Sequence, residues 1–217
     1  MKNYVITILD NPKSIEVADR CIRSAADWGM QVDRFEAITP KSNLTKLMRS
    51  EGIKPEGFEE RWSRMANCMA AFMSHYSLWK KSIELNEEIT IFEHDAVVMN
   101  HIPDNISYRG CISFGKPSYG KWNDPVRFGV NPLTSKRYFP GAHAYRIKPH
   151  VAQLIVDQAK YHARPTDVFL NIDTFPFLQE YYPWPVEVND SFTTIQNENG
   201  IQAKHNYKIL GSKYEII

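Results

Sequence analysis

One stretch, Met65 to Asn100, limits what this chain can fold into more than any other, because it joins a long amphipathic segment directly to a short apolar run with a charged end. Met65, Cys68, Phe72, Tyr76, Trp79 and Ile83 recur three or four residues apart, which predicts a helix with one buried face. His75, next to Ser74, lies beside that face by its spacing to Phe72 and Trp79. After a polar turn at Asn86-Glu87-Glu88, the β-branched run Ile89-Thr90-Ile91-Phe92 reads as a buried strand and stops abruptly at Glu93-His94-Asp95. Ligands of open α/β sheets collect at the carboxyl ends of the strands, where the loops open into a crevice. This strand end is therefore the candidate active site.

The chain before it reads as a βαβ unit. Tyr4 to Leu9 is an apolar run of strand length broken by Asp10-Asn11-Pro12, and from Ile15 through Ala18, Ile22, Ala25 and Trp28 the spacing turns helical. Gly29 sits where a left-handed residue closes a helix, and Val32 to Ala37 gives the next strand. Strand, helix and strand at this spacing predict parallel strands joined by a right-handed crossover. With 217 residues, 43% of them hydrophobic, the chain can bury a full core and is read as a single domain, 1–217.

Residues 39–64 are polar, with Pro40, Gly52, Pro55 and Gly57 breaking any long period, which suits a connecting excursion, with one short helix, or a lid. Gly110 to Phe114 and Arg137 to Ile147 read as strands, the latter carrying Gly141-Ala142-His143. Tyr119 to Arg137 reads as a loop over a site. Pro149 opens a helix with Val151, Leu154, Ile155 and Gln158 in register, and Arg164-Pro165-Thr166-Asp167 follows as a polar turn. Residues 180–217 form a C-terminal extension with a strand-like Val186-Glu187-Val188.

Charge and cysteine usage exclude more than they assign. With 26 basic against 25 acidic residues, the chain has no general electrostatic drive toward nucleic acid or an anionic membrane, which leaves such contacts to local patches. Cys21, Cys68 and Cys111 are odd in number, widely spaced and set in apolar surroundings, as buried thiols in a reducing compartment would be. No run approaches the roughly 18 apolar residues of a membrane span, and no basic-then-apolar leader opens the chain. A cytoplasmic location is expected.

These segments together carry a resemblance. Cys68 to Val98, with Ser74-His75, Leu78-Trp79 and the I-x-E-x-D-A pattern from Ile91 to Ala96, resembles the core of glycosyltransferase family 25, the lipooligosaccharide and collagen galactosyltransferase group. Tyr4-Val5-Ile6 to Asp10, then Asp33 to Ala37, resembles that family's opening βαβ unit. Pro140-Gly141-Ala142-His143-Ala144-Tyr145 with Pro149 resembles its G-x-H-A-Y strand and following helix, and Arg164 to Asp167 its acidic turn. Two departures stand out: Asn11-Pro12-Lys13-Ser14 where the family usually has a basic pair, and Glu93-His94-Asp95 where it usually has Glu-Asp-Asp.

The resemblance implies a GT-A-type, Rossmann-like α/β fold with a mixed, mostly parallel sheet flanked by helices. It also implies an inverting transfer of a sugar from a nucleoside diphosphate, a UDP-sugar foremost, to a hydroxyl of a glycan, lipopolysaccharide, protein or modified base. A diphosphate leaves more readily when a hard cation such as Mn²⁺ or Mg²⁺ neutralises it, and such cations take oxygen ligands. Asp95, with Glu93, is the expected metal ligand. Thr7, Asp10, Ser74, Glu93 and His143 fall on the donor side, with His75 orienting the acidic strand end or the donor and Asp167 the candidate base. Each has a plainer reading: a polar turn for Glu93-His94-Asp95, a core histidine for His75, a hydroxyl bonded to its own helix for Ser74, and a first-turn helix residue for Asp167. The altered motifs also keep open a non-catalytic module that only binds nucleotide-sugar or glycan.

Overall fold

The structure is a computed structural model that describes residues 1–59, 63–118, 120–139, 142–188 and 193–195. Strand β1 (Lys2–Thr7) leads into helix α1 (Pro12–Asp27) and strand β2 (Asp33–Glu36), the expected opening unit. Local chemistry sets the ends of α1: the Asn11 side chain accepts the amides of Lys13 (3.0 Å) and Ser14 (3.3 Å), Pro12 occupies the first turn, and Gly29 takes φ 76 just beyond the helix. Helix α2 (Leu44–Ser50) and a 3-10 turn at Pro55–Phe58 follow, sending Leu44, Met48, Ile53 and Phe58 into the core beneath α3 (Met65–Leu85). The left-handed Asn86 (φ 50) closes α3, and β3 (Ile89–Glu93) and β4 (Ala96–Val98) come next.

The second half supplies β5 (Cys111–Ser113), β6 (Gly129–Pro132), β7 (Ala144–Ile147), α4 (Pro149–His162), α5 (Thr166–Phe169), β8 (Gln179–Tyr182) and β9 (Val186–Val188). Seven strands form one sheet in the order β2-β1-β3-β7-β5-β8-β6, and β4 pairs with β9 in a small second sheet. The pairings make β2, β1, β3, β5 and β8 point one way and β7 and β6 the other. The sheet is thus mixed and mostly parallel in direction, flanked by helices, as expected. Its carboxyl edge carries Thr7, Glu93 and Tyr182, with Gly129 and Ala144 at the starts of the two opposed strands.

The period of two along β1 and β3 divides the core between two faces. Tyr4, Ile6, Ile89 and Ile91 pack with Phe72, Tyr76 and Trp79 of α3, Ile155 of α4 and Phe169 of α5. Val5 and Phe92 face the other way, against Ala18, Cys21 and Ala25 of α1. All three cysteines are buried and free.

Several expectations are corrected. Only Ala144–Ile147 of the expected 137–147 strand is a strand, because Phe139 N–H donates to Leu170 O (2.9 Å) and Tyr138 bridges Asn171, committing that backbone to the exit of α5. Leu154 is exposed, since the buried stripe of α4 runs through Val151, Ala152, Ile155, Val156 and Ala159. Trp28 is likewise exposed. β6 lies where a loop was expected; it is an edge strand, where Pro132 costs no ladder bond.

Candidate functional site

The site is assembled on the end of β3. Glu93 N–H donates to His143 O (3.0 Å), continuing the β3–β7 ladder one step past the Phe92–Ala144 pair, and Ile6 of β1 pairs with Glu93 from the other side. Behind this strand end stands a chain of hydrogen bonds that starts from Trp79. Trp79 Nε1 can only donate, and it donates to Tyr145 Oη (2.8 Å). Tyr145 Oη also lies 2.9 Å from His75 Nδ1, and His75 Nε2 lies 3.3 Å from Glu93 Oε1, so the imidazole bridges the tyrosine and the carboxyl group. The His75 ring stacks on Tyr145 at 5.7 Å and is 1% exposed. Burial lowers its pKa to about 3, so the ring is neutral, and the bond to Glu93 is a positioning contact rather than an ion pair. His75 is therefore a buried histidine whose partners are side chains.

Glu93 itself is pushed well above the usual carboxylate range, first by burial and then by the charges of Asp95 and Asp167. That link brings together three of the residues named from sequence. Asp95 closes the turn just before β4, and its carbonyl accepts from Arg20 Nη2 (3.1 Å). Arg20 is buried on α1 among Val17, Cys21 and Ser24, a cation on an otherwise uncharged stripe. Sequence reading missed it, although an arginine at that helical spacing was the available signal. Asp167 lies in the first turn of α5, where Oδ1 accepts Val168 N–H (2.9 Å), while its charge reaches Glu93.

The two departures from the family pattern meet each other. Ser14 Oγ and His94 Nδ1 are 2.7 Å apart, and the same Oγ accepts Ile8 N–H (2.9 Å). The central His of the Glu-His-Asp tripeptide thereby fastens the acidic turn to the first turn of α1, between two carboxylates that remain in place. His143 is packed beneath Gly115, where a Cβ would come within 2.4 Å of its ring, and Ala142 just before it adopts a left-handed φ of 50. Pro140 and Gly141 of that motif lie outside the described residues.

The other named residues are bound into the scaffold. Thr7 is buried and its hydroxyl donates back to Val5 O (3.2 Å). Ser74 Oγ accepts Ile38 N–H (2.9 Å) and donates to Ala70 O (2.9 Å), tying α3 to the segment after β2; the bond to its own helix is the plainer reading given above. Asp10 is exposed and paired with Lys41, an ion pair that lowers its pKa. So His75 bonds to Glu93, His143 pairs with it through the backbone, and the charges of Asp95 and Asp167 act on it. Thr7 and Ser74 hold the frame, and Asp10 stands on its rim.

Among the described residues no three His, Cys, Asp or Glu side chains gather closely enough to cage a metal ion. Glu93 and Asp95 are the oxygen donors that a hard cation would meet at this strand end. Among the described residues no helix is long and apolar enough to cross a membrane.

A search of the curated proteins found no match. Among solved structures the chain is similar to a mutant of a Drosophila beta-1,4-galactosyltransferase 7 in complex with manganese, UDP-Gal and xylobiose, at 7% identity and a TM-score of 0.36, over 80% of this chain and 69% of that one. The model of glycosyltransferase family 25 (LPS biosynthesis protein) matches residues 1–111, just over half of the chain and all of the segment that builds β1 through the Glu93 strand end. This chain belongs to glycosyltransferase family 25.

Proposed function

We propose that this glycosyltransferase moves a sugar, foremost from a UDP-sugar, to an acceptor hydroxyl, with Glu93, Asp95 and Asp167 as its working carboxylates. What supports the reading is Glu93 at the end of β3, bonded to the buried, neutral His75 and within the electrostatic influence of Asp95 and Asp167. A carboxylate cluster held against its own repulsion is costly to fold and belongs to sites that receive a positively charged or proton-donating guest.

Asp95, with Glu93, takes the metal-ligand role on the donor side. When bound, Mn²⁺ or Mg²⁺ supplies charge neutralisation for the departing diphosphate. Arg20, by holding the Asp95 carbonyl, fixes the turn that presents the carboxylate. His75 restrains Glu93 from behind, and Ser14 restrains the His94 ring against the first turn of α1. Asp167, on a separate element, is the group placed to take the acceptor's proton in an inverting displacement, where base and leaving group act from opposite faces. The acceptor is a glycan, lipopolysaccharide or other hydroxyl, and the neutral overall charge gives nucleic acid no general attraction.

The deciding experiment is transfer and hydrolysis with a panel of UDP-, GDP- and CMP-sugars, with and without Mn²⁺, on the parent and Asp95→Ala. The parent should show metal-dependent turnover of one donor. Asp95→Ala should lose metal-dependent donor binding by calorimetry while its melting temperature stays close to the parent's, since the change relieves Glu93 of a neighbouring like charge. Equal donor affinity in both proteins, with and without metal, would overturn the assignment.

A further inference from the structure

At the other end of the carboxyl edge from β2, three aromatic rings stand in a row that the site described above does not use. Phe128 is 83% exposed, far more than a side chain of its size ordinarily tolerates. Its ring lies parallel to that of Tyr182, with centroids 6.0 Å apart and 6° between planes, and Tyr182 meets Trp184 edge-on at 5.0 Å and 85°. The row is anchored from within. Trp184 Nε1–H donates to Glu180 Oε2 (3.1 Å), and Glu180 is 1% exposed, its other oxygen accepting the amides of Thr134 (2.7 Å) and Ser135 (2.8 Å). A buried carboxylate with these three donors on it holds the Trp184 ring in one orientation.

The topology puts this row on the edge that matters. β8 runs in the same direction as β3, so its last residue, Tyr182, ends at the same edge as Glu93. β6 runs oppositely, so Phe128, just before its first residue, lies there too. In the order β3-β7-β5-β8, three strand spacings of roughly 4.8 Å separate the ends of β3 and β8, about 14 Å. That is the reach of a short oligosaccharide lying along the edge.

A pyranose ring has an apolar face of C–H bonds and a rim of hydroxyls. Its polarised C–H groups suit the electron-rich face of an aromatic ring, and a ring already fixed by its neighbours loses little conformational freedom on stacking. We propose that Phe128, Tyr182 and Trp184 form an acceptor subsite that stacks on a sugar ring of the acceptor saccharide, distal to the hydroxyl that reacts near Glu93 and Asp167. The proposal rests on the glycosyl-transfer reading and names where that reading's acceptor is held. A membrane surface would also take up Val126 (96% exposed) and Phe128, but insertion requires no stacked row and no buried carboxylate behind it, and the position on the site's own edge favours a saccharide.

The test uses the full chain and reads binding without turnover. Saturation-transfer NMR with cellobiose, lactose and maltotriose is run on the parent, Phe128→Ala and Trp184→Phe. Phe128 is so exposed that its removal should leave the melting temperature unchanged, and Trp184→Phe keeps a ring while losing the bond to Glu180. At least one saccharide should bind the parent, with affinity weakened about ten-fold in Phe128→Ala, the scale of one lost stacking partner. Binding unaltered by either change, absence of binding to the parent, or partition of the parent alone onto phosphatidylglycerol vesicles would overturn the subsite. Donor hydrolysis by the parent, measured in parallel, tests the transfer reading separately.

Discussion

His75 shows how burial converts a titratable residue into a fixed orienting group. With its folded pKa lowered to about 3 from an ordinary 6.5, the native state refuses a proton that the unfolded chain accepts. The stability this confers is complete above pH 6.5 and is lost as pH falls toward 3, at up to about 1.4 kcal/mol per pH unit. Glu93 has the opposite sign: its raised pKa favours the native state at acid pH, and that contribution fades as pH rises through the raised value. His75→Gln should therefore flatten the acid limb of the stability curve, narrowing its gap to the parent between pH 6.5 and pH 4.5 in urea titrations. Parallel curves for the two proteins would show that His75 is not the group responsible. Because Gln retains a donor but not the imidazole's placement, its transfer rate should fall at pH 7.5, where both proteins are folded.

Among the elements, α5 is the smallest that bears on function and the one whose role is most open to test. Its four residues begin after Pro165 without a side-chain cap, and Asp167 in their first turn accepts the next residue's amide. That bond is local and would survive replacement by Asn, whereas the charge felt by Glu93 would not. If Asp167 is the base, Asp167→Asn should cut transfer by about 10² or more while donor affinity persists. Transfer within a few fold of the parent would leave Asp167 a helix-start residue. The search would then pass to Glu187, paired with Lys116 at 2.9 Å, and Asp173, paired with Arg137; Asp190 lies outside the described residues.

Across the whole molecule, the central strands tie two cores into one. Tyr4, Ile6, Ile89 and Ile91 belong to one cluster while Val5 and Phe92, their chain neighbours, belong to the other, so neither face can come apart without exposing the other. A single cooperative unfolding transition is expected despite the chain's size. Phe72→Ala, which removes a buried ring packed against Phe58, Tyr76, Trp79 and Phe169, should cost about 3–5 kcal/mol. Thermal unfolding followed by far-UV and near-UV circular dichroism should lose both signals together in parent and variant. Separate midpoints would show that the two clusters unfold independently.

The sequence alone determined the elements that write their own period. Ile89 to Phe92, the Met65–Leu85 helix and the body of α1 from Ile15 are stated by local spacing and β-branching, and they sufficed to place Glu93-His94-Asp95 at a strand end. Only the tertiary structure decided what those residues touch. Nothing local announces that Ser14 meets His94 across 80 positions, that Tyr145 joins Trp79 to His75, or that Arg20 reaches the Asp95 carbonyl. β6 was hidden for the same reason: Gly129-Val130-Asn131-Pro132 has almost no intrinsic strand preference and is a strand because β8 offers it a partner. Periodicity records which face of an element is buried, whereas partners separated by long stretches of chain are chosen by the packing of the whole sheet.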